Sequence, residues 1–495
     1  MDRYNLVVIG AGSAGLVVAA GAAGLGARVA LVEMDAMGGE CLNTGCVPSK
    51  ALIRCAQTAR TKRLALHGLA AAPVVVSWPA IAARVREVIA AIAPHDSVER
   101  FTGLGVDVVW GRARLLSATG VEVALTGGGT RRLEAKALVV ATGSKPAVPP
   151  IPGLADAGYL TNETVFEALQ RFAPTGGGLG PRLAVLGGGP IGVELAQALA
   201  RLGAEVALVE VQARLLPRDD PDAAEAVAAA LREDGVRVWA GARCTRVETT
   251  GGAKRLYLAP TGSGPSAGLP PAIEVDHVIV AAGRTARVDG LQLDQAGVLA
   301  EPDGIRVDAR LRTTCPSVYA CGDVIGPYRF THMANQQARV VVQNALLPVK
   351  TRIDYRVVPW CTFTDPEVAR VGLNETDAQA QGVPFRTIRV DLAGNDRAVC
   401  DGDGRTGAGF LKVLTPPGRD DILGATVVAA HAGELIHEAV LAMSKRLRLR
   451  DLAAAVHVYP TLAEAFHRAG DESRKAGFTP GLQGLLRRYL AWQRG

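Results

Sequence analysis

Cys41 and Cys46 lie in the run Gly38-Gly39-Glu40-Cys41-Leu42-Asn43-Thr44-Gly45-Cys46-Val47-Pro48-Ser49-Lys50. Two sulfurs this close can close a small ring, open it on receiving an electron pair, and close it again. Cys41 is expected in a glycine-rich turn. Cys46 is expected at the start of a helix, where unpaired N–H groups lower a thiol's pKa and keep a reduced sulfur as thiolate. Zinc is the competing chemistry for a cysteine pair, but no second Cys or His pair sits at ligand spacing. No metal site is therefore assigned.

A source of electrons is written into the same chain. Around Gly10 it reads LVVIGAGSAG, and around Gly187 it reads LAVLGGGPIG. Gly12 and Gly189, Gly15 and Gly192, and VALVE from Val29 to Glu33 and from Val206 to Glu210 all fall at the same offset. Each copy is a strand, a glycine turn, a small-residue helix, a second strand and an acidic residue. This is the dinucleotide-binding fingerprint, in which the turn lets a pyrophosphate approach a helix N-terminus and the acid accepts from a ribose 2′-hydroxyl. Two such sites suggest two dinucleotides, and hydride transfer between nicotinamide and flavin is the common reason to hold both. Glu210 would repel a 2′-phosphate and so favours NADH over NADPH; Arg214, close by, pulls the other way.

These motifs need a large scaffold, and 495 residues provide one, with 48% hydrophobic and 21% charged residues. A net charge of +6 over this length is too mild to argue for a nucleic-acid partner. The apolar run from Gly10 to Ala30 is punctuated by glycine and reads as a nucleotide turn and helix, not a membrane span. No secretory signal is visible, the eight cysteines form no disulfide scaffold, and a cytoplasmic location is expected.

The chain is expected to divide at 1–150, 151–283, 284–349, 350–470 and 471–495. A helical stretch follows Cys46 to about Arg100, and short strands continue to Val140. Thr261 to Pro271 reads as a surface hairpin loop. Beyond Lys350, strand-like runs (Arg356 to Phe363, Phe410 to Leu414, Ile422 to Val428) alternate with a helical one (Gly433 to Leu447), as in a separate α+β domain. The tail is a short basic amphipathic helix, expected to dock on the body, with weak contact to an anionic membrane as its other use.

The Cys41 to Lys50 motif, with both glycine turns, resembles the flavin disulfide reductases: dihydrolipoamide dehydrogenase, glutathione reductase and mercuric reductase. The resemblance runs from Tyr4 to about His467. It implies an α/β fold with FAD- and NAD(P)-binding Rossmann-like domains, the FAD domain in two segments, and a C-terminal α+β dimerisation domain. It implies FAD and NAD(P)H as cofactors, and a homodimer. Cys46 would be the charge-transfer thiol and Cys41 the interchange thiol, with Lys50 near the flavin and paired with Glu194. Ala141-Thr142-Gly143 and Gly322-Asp323 would bind FAD, and Gly283-Arg284 would border the nicotinamide. Further cofactor contacts implied are Ser13, Ala14, Gly39, Thr44, Ala113, Ile191, His332 and Ala334.

One segment departs from the pattern. The family usually carries a His-Pro-Thr sequence with a Glu five residues after the His. Here the chain reads Val456-His457-Val458-Tyr459-Pro460-Thr461-Leu462-Ala463-Glu464, so Tyr459 stands where the histidine is expected. Imidazole, with a pKa near ~6.5, takes a thiol proton at neutral pH; a phenol, near ~10, does not. Lipoamide turnover should then be slow unless water handles the proton or His457 reaches the site, as the same-side alternation of a strand would allow; His457 itself is expected to be a satisfied structural histidine. Tyr459 and Glu464 of one subunit would face Cys41 of the other. A tyrosine here is similar to mercuric reductase, yet an N-terminal metal-binding CxxC pair and a C-terminal vicinal cysteine pair are missing. Cys361 reads as a core cysteine on a strand, and Cys55, Cys244, Cys315 and Cys321 as packing. The expected activity is electron transfer from NAD(P)H through FAD and the Cys41–Cys46 disulfide to a disulfide acceptor of lipoyl type. Its competitors are a metal-ion or quinone reductase and a non-catalytic flavoprotein subunit.

Overall fold

The computed structural model describes residues 2–63, 70–173, 180–262, 268–402, 409–477 and 480–495. Its first sheet is centred on Asp2–Ile9. Val29–Glu33 pairs with it on one side and Thr130–Val140 on the other, both parallel. These runs are rich in Val, Leu and Ile without alternation, as parallel strands covered on both faces must be; Leu6, Val7, Val8 and Val29 to Leu31 have no exposure. Asp107–Leu115 extends the sheet beyond Val29–Glu33, then turns into an antiparallel meander with Gly120–Leu125 and Thr130–Val140. The outer strand, Val318–Ala320, arrives from far down the chain and pairs with Thr130–Val140. That return brings the helix Thr331–Leu346 against the first helix, Ser13–Gly24, where Gly21 faces Val342.

The second unit repeats this plan. His277–Val280, Arg182–Leu186, Glu205–Glu210 and Arg237–Ala240 form a parallel sheet in that order. Beside it lies an antiparallel sheet of Ala242–Thr250, Ala253–Pro260 and Ala272–Val275. The last two strands pair across the expected hairpin loop, of which residues 263–267 lie outside the described residues.

The C-terminal unit is a five-stranded antiparallel sheet, ordered Pro359–Thr362, Glu367–Gly372, Gly424–Ala429, Phe410–Thr415, Arg386–Asp391. Phe466 and Ala469 of the helix Glu464–Gly477 share its core with Val413 and Val427. The helical run from Gly433 to Leu447 is two helices, Ala432–Leu435 and His437–Lys445. A buried lysine joins this unit to the second. Lys412 Nζ donates to Asp220, Asp222 and Glu375 at 2.8–2.9 Å, so its charge is compensated from both sides of the boundary.

The tail differs from expectation. Pro480–Gln493 is helical but buries no residue, so the buried face expected of a docked helix is not found. Among the described residues no helix is long and apolar enough to cross a membrane.

Candidate active site

The two glycine turns are built alike. A Cβ on Gly15 would stand 1.8 Å from the carbonyl oxygen of Gly10, and one on Gly192 would stand 1.9 Å from that of Gly187. Only glycine allows each helix this close to its strand end. Gly10 and Gly187 both have positive φ, at 103° and 117°. The acidic residues are buried and pinned by backbone. Glu33 accepts from Ala11, Met34 and Asp35 amides at 2.6–2.9 Å, and Glu210 from the amides of Gly188 and Gln212. Both turns line one continuous cleft of about 1640 Å³, together with Ser13, Ala14, Gly39, Thr44, Ala113, Ala141, Thr142, Gly143, Ile191, Gly283, Gly322, Asp323, His332 and Ala334. The cleft thus holds a paired cradle for each of two dinucleotides.

The sulfurs lie at its middle. Cys46 opens the helix Cys46–Arg63, as expected. Cys41 lies on a short helix of its own, Gly39–Asn43, and not in a turn. The Asn43 amide holds that helix by donating to Met37 and Gly39 carbonyls at 3.0 and 2.8 Å. Cys41 and Cys46 are not bonded to each other here. The two sulfurs hydrogen-bond each other, which splits their acidities in opposite directions. Cys46 is brought down to about 6, first because the Cys41 thiol donates to it, then, against the opposing effect of burial, because Lys50 is near. Cys41 is pushed up, by that same bond and by burial. The bond between the sulfurs and the nearby Lys50 thus favour the thiolate on Cys46 over Cys41. A residue missed from sequence, Thr331, reaches both: its hydroxyl lies 3.3 Å from Cys41 Sγ and 3.7 Å from Cys46 Sγ.

Lys50 stands one turn along from Cys46. Its ammonium donates to Glu194 Oε2 at 2.8 Å and sits 4.3 Å from the centroid of the Phe363 ring. Burial works against its charge, but Glu194 outweighs that and raises its pKa. Glu194 Oε1 accepts from the Phe363 amide at 2.8 Å, so three units meet at one carboxylate. Cys361 also lines the cleft, half-buried on Pro359–Thr362, with burial first among the causes that push its thiol up; its expected place in the core is only partly met. Cys315 and Cys321 are buried; Cys55 and Cys244 are only half-buried, and Cys244 faces the cleft.

A second polar knot ties the redox helix to the domain boundary. Arg284 pairs with Glu40, the residue before Cys41, and donates to Ser144 Oγ at 2.8 Å. Ser144 donates to Asp323 Oδ2 at 2.8 Å, and the Asn162 amide donates to Glu40 Oε1 at 2.7 Å. Burial raises Glu40's pKa, and Arg284 opposes it. Of these, Arg284 and Asp323 were legible as motif residues. Glu40 lay inside the motif unread, and Asn162 and Ser144 gave no local signal.

The outer segment is arranged otherwise. Residues 455–463 form a loop, so the strand alternation that would have swung His457 beside Tyr459 does not exist, and the structural reading of His457 stands. His457 instead turns inward, with Nδ1 3.0 Å from the Ala455 carbonyl and Nε2 3.2 Å from Glu438 Oε2. Tyr459 is exposed and donates its phenol to Asp396 Oδ2 at 2.7 Å, a bond that raises its pKa. Glu464 is engaged by Arg468 at 3.0 Å. Tyr459 and Glu464 are therefore not partnered with each other as an imidazole and its carboxylate would be.

Two dinucleotide cradles facing a dithiol define a flavin- and nicotinamide-dependent disulfide oxidoreductase. Residues 4–338 match the pyridine nucleotide-disulphide oxidoreductase model and residues 358–470 its dimerisation domain, and the chain belongs to that family. Mercuric reductase of Lysinibacillus sphaericus is 33% identical over 471 residues, covering 94% of this chain and 82% of that protein. Dihydrolipoyl dehydrogenase of Chlamydia muridarum is 33% identical over 469 residues, covering 94% and 96%. Among solved structures, LpdA from Mycobacterium tuberculosis superposes with a TM-score of 0.82 at 29% identity, covering 95% of this chain and 99% of that one. The HOCl-induced flavoprotein disulfide reductase RclA from Escherichia coli gives 0.80 at 27%, covering 94% and 99%. The chain is thus an FAD-dependent NAD(P)H oxidoreductase of the disulfide class and a homodimer through its dimerisation domain.

Proposed function

We propose that this enzyme runs outward, from NADH to a disulfide acceptor, and that it is a poor oxidant of dihydrolipoamide. The observation that carries the reading is the phenol of Tyr459, bonded to Asp396 where the family holds a base. Oxidising a dithiol requires a group that takes its protons near neutral pH, and a phenol with a raised pKa is a proton donor there. Reducing a disulfide has the opposite need, because the departing thiolate must be protonated, and Tyr459 of the partner subunit can supply that proton.

FAD, when bound, supplies the two-electron carrier between the nicotinamide and the sulfur pair. Lys50 and Glu194 form the polar wall beside it, and Cys46 is the thiolate that faces it. Cys41 is the interchange sulfur. It attacks the acceptor disulfide, forming a mixed disulfide and releasing one thiolate. Cys46 then attacks Cys41's sulfur, releases the second thiolate and restores the Cys41–Cys46 bond, so the acceptor gains one electron pair. Glu210 favours NADH. Arg214, which weighed against it, is occupied by the carbonyls of Pro217 and Asp219 at 3.0 and 2.8 Å, leaving it turned into its own loop.

A second reading, reduction of a thiophilic metal ion held as substrate by the two soft sulfurs, is favoured by Tyr459 as well. One screen separates them. Oxidised lipoamide, a lipoylated carrier, mercuric ion and quinones are offered with NADH to the wild type and to Cys41→Ser. Disulfide turnover that Cys41→Ser abolishes, with dihydrolipoamide oxidation slower than the reverse direction, is the expected result. Metal-ion turnover alone supports the second reading, and quinone turnover surviving Cys41→Ser overturns both.

A further inference from the structure

We propose that the Thr331 hydroxyl is a hydrogen-bond donor shared by the two redox sulfurs, held so that it can serve whichever one carries the negative charge. The proposal rests on the dithiol reading above and adds a residue to it.

The seat of this hydroxyl is built from several directions. Thr331 is the first residue of the helix Thr331–Leu346, and Phe330 before it is extended, with φ −128° and ψ 140°. Its two neighbours are locked in one stack. The Phe330 ring lies 5.3 Å from His332 and 5.7 Å from Trp360, both nearly parallel to it, and His332 Nε2 bonds the Pro359 carbonyl at 2.7 Å. Further along the helix, fully buried Gln337 accepts from the Gly322 amide at 2.8 Å and fixes the helix to the first sheet. Thr331 thus faces the sulfurs from an element that neither cysteine belongs to.

Geometry places the one O–H within reach of either sulfur, at 3.3 Å from Cys41 and 3.7 Å from Cys46, but it can point at only one at a time. The charged and titratable groups facing Cys46 are Cys41, Lys50 and Glu194, while Cys41 faces Cys46 and the hydroxyl of Ser13. In the reduced pair Cys46 is the sulfur favoured as thiolate. For Cys41 to attack, its proton passes to Cys46, and the charge moves the other way. A donor that follows the charge lowers the cost of that exchange. It leaves Lys50 and Glu194 in place and needs no imidazole inside the chain.

The test is a pH profile of alkylation by iodoacetamide, resolved by peptide, on NADH-reduced holoenzyme, with the long-wavelength thiolate–flavin absorbance read in parallel. Thr331→Val keeps the shape and removes the O–H. It is expected to raise the Cys46 midpoint by about one pH unit, a tenfold loss of thiolate at the acid end, since hydrogen bonding to the charged form is what favours it. Thr331→Ser should return to the wild-type midpoint, and Thr331→Ala should match Thr331→Val, which covers a valine that fails to fold. Wild-type midpoints in both hydroxyl-free variants, or a serine variant that behaves like them, overturn the proposal. If reduction of the wild type exposes no cysteines at all, the dithiol reading has failed instead.

Discussion

The sulfur pair and the outer loop at 455–463 are opposite kinds of construction. The pair is complete within one chain: Cys41, Cys46, Lys50, Glu194 and Thr331 come from four helices and contact one another directly. The outer loop leaves Val456, Val458 and Tyr459 exposed at 101%, 77% and 68%. Large side chains so bare mark a surface meant to be covered, and the dimerisation domain that carries them supplies the reason. The contrast teaches where change is tolerated. The inner site must conserve a redox potential and a contact with flavin, so its residues lock one another. On the proposed reading the outer loop governs what arrives and where protons go, and its few contacts with the core let it change without disturbing that core.

The severest break of this comparison is at the sulfurs. Cys41→Ser should cost disulfide reduction on the order of 10³-fold or more while NADH still reduces the flavin, because the nucleophile is lost and the upstream step is not. Steady-state and stopped-flow rates check the two halves. On the outer loop the expected change runs the other way. Tyr459→His should raise dihydrolipoamide oxidation by about 10²-fold, the usual worth of a placed base, with little gain in NADH-driven reduction. If the histidine variant gains nothing, the loop does not face the sulfurs.

A third prediction concerns acidity. Cys46 is depressed from 9.0 to about 6, so its thiolate is present above about pH 6 and is lost as pH falls below it. The long-wavelength absorbance of the reduced enzyme should fade with a midpoint near there. Glu194→Gln should leave the Lys50 charge without its partner and remove the carboxylate that opposes ionisation of Cys46. A loss of about 1–2 kcal/mol in denaturant unfolding is expected for one such broken bond, discounted for the solvent that Lys50 still meets. The smallest effect belongs to Asp396→Asn, which keeps a hydrogen-bond acceptor for Tyr459 and should lower the phenol's pKa while changing acceptor turnover less than threefold, as expected for an exposed pair.

The same contrast governs what could be read from the chain alone. Gly15 and Gly192 were legible because a carbonyl less than 2 Å from any Cβ forbids every other residue, and Gly10 and Gly187 because each combines a positive φ with a carbonyl 2.5 or 2.3 Å from where a Cβ would stand. Cys46 was legible from its place at the start of a helix, and Lys50 through the family motif that holds both. Thr331, Phe363, Asn162 and Asp396 were not, because each reaches its partner across the sequence through tertiary packing, with nothing in its own neighbourhood to mark it. His457 takes the structural role expected of it, bonded at both ring nitrogens. The alternation argument assumed a strand, and the loop there turns the imidazole toward Glu438 instead. The tail helix, amphipathic in sequence, was expected to bury a face and buries none.

The whole scheme stands on Cys41 and Cys46 storing an electron pair beside the flavin. Anaerobic titration of the oxidised holoenzyme with dithionite, followed by differential alkylation, tests this most directly. Uptake of a second electron pair beyond the flavin's own, with Cys41 and Cys46 newly open to the reagent, is the predicted result. Uptake that stops at the flavin, with both sulfurs alkylated to the same extent before and after reduction, would contradict it.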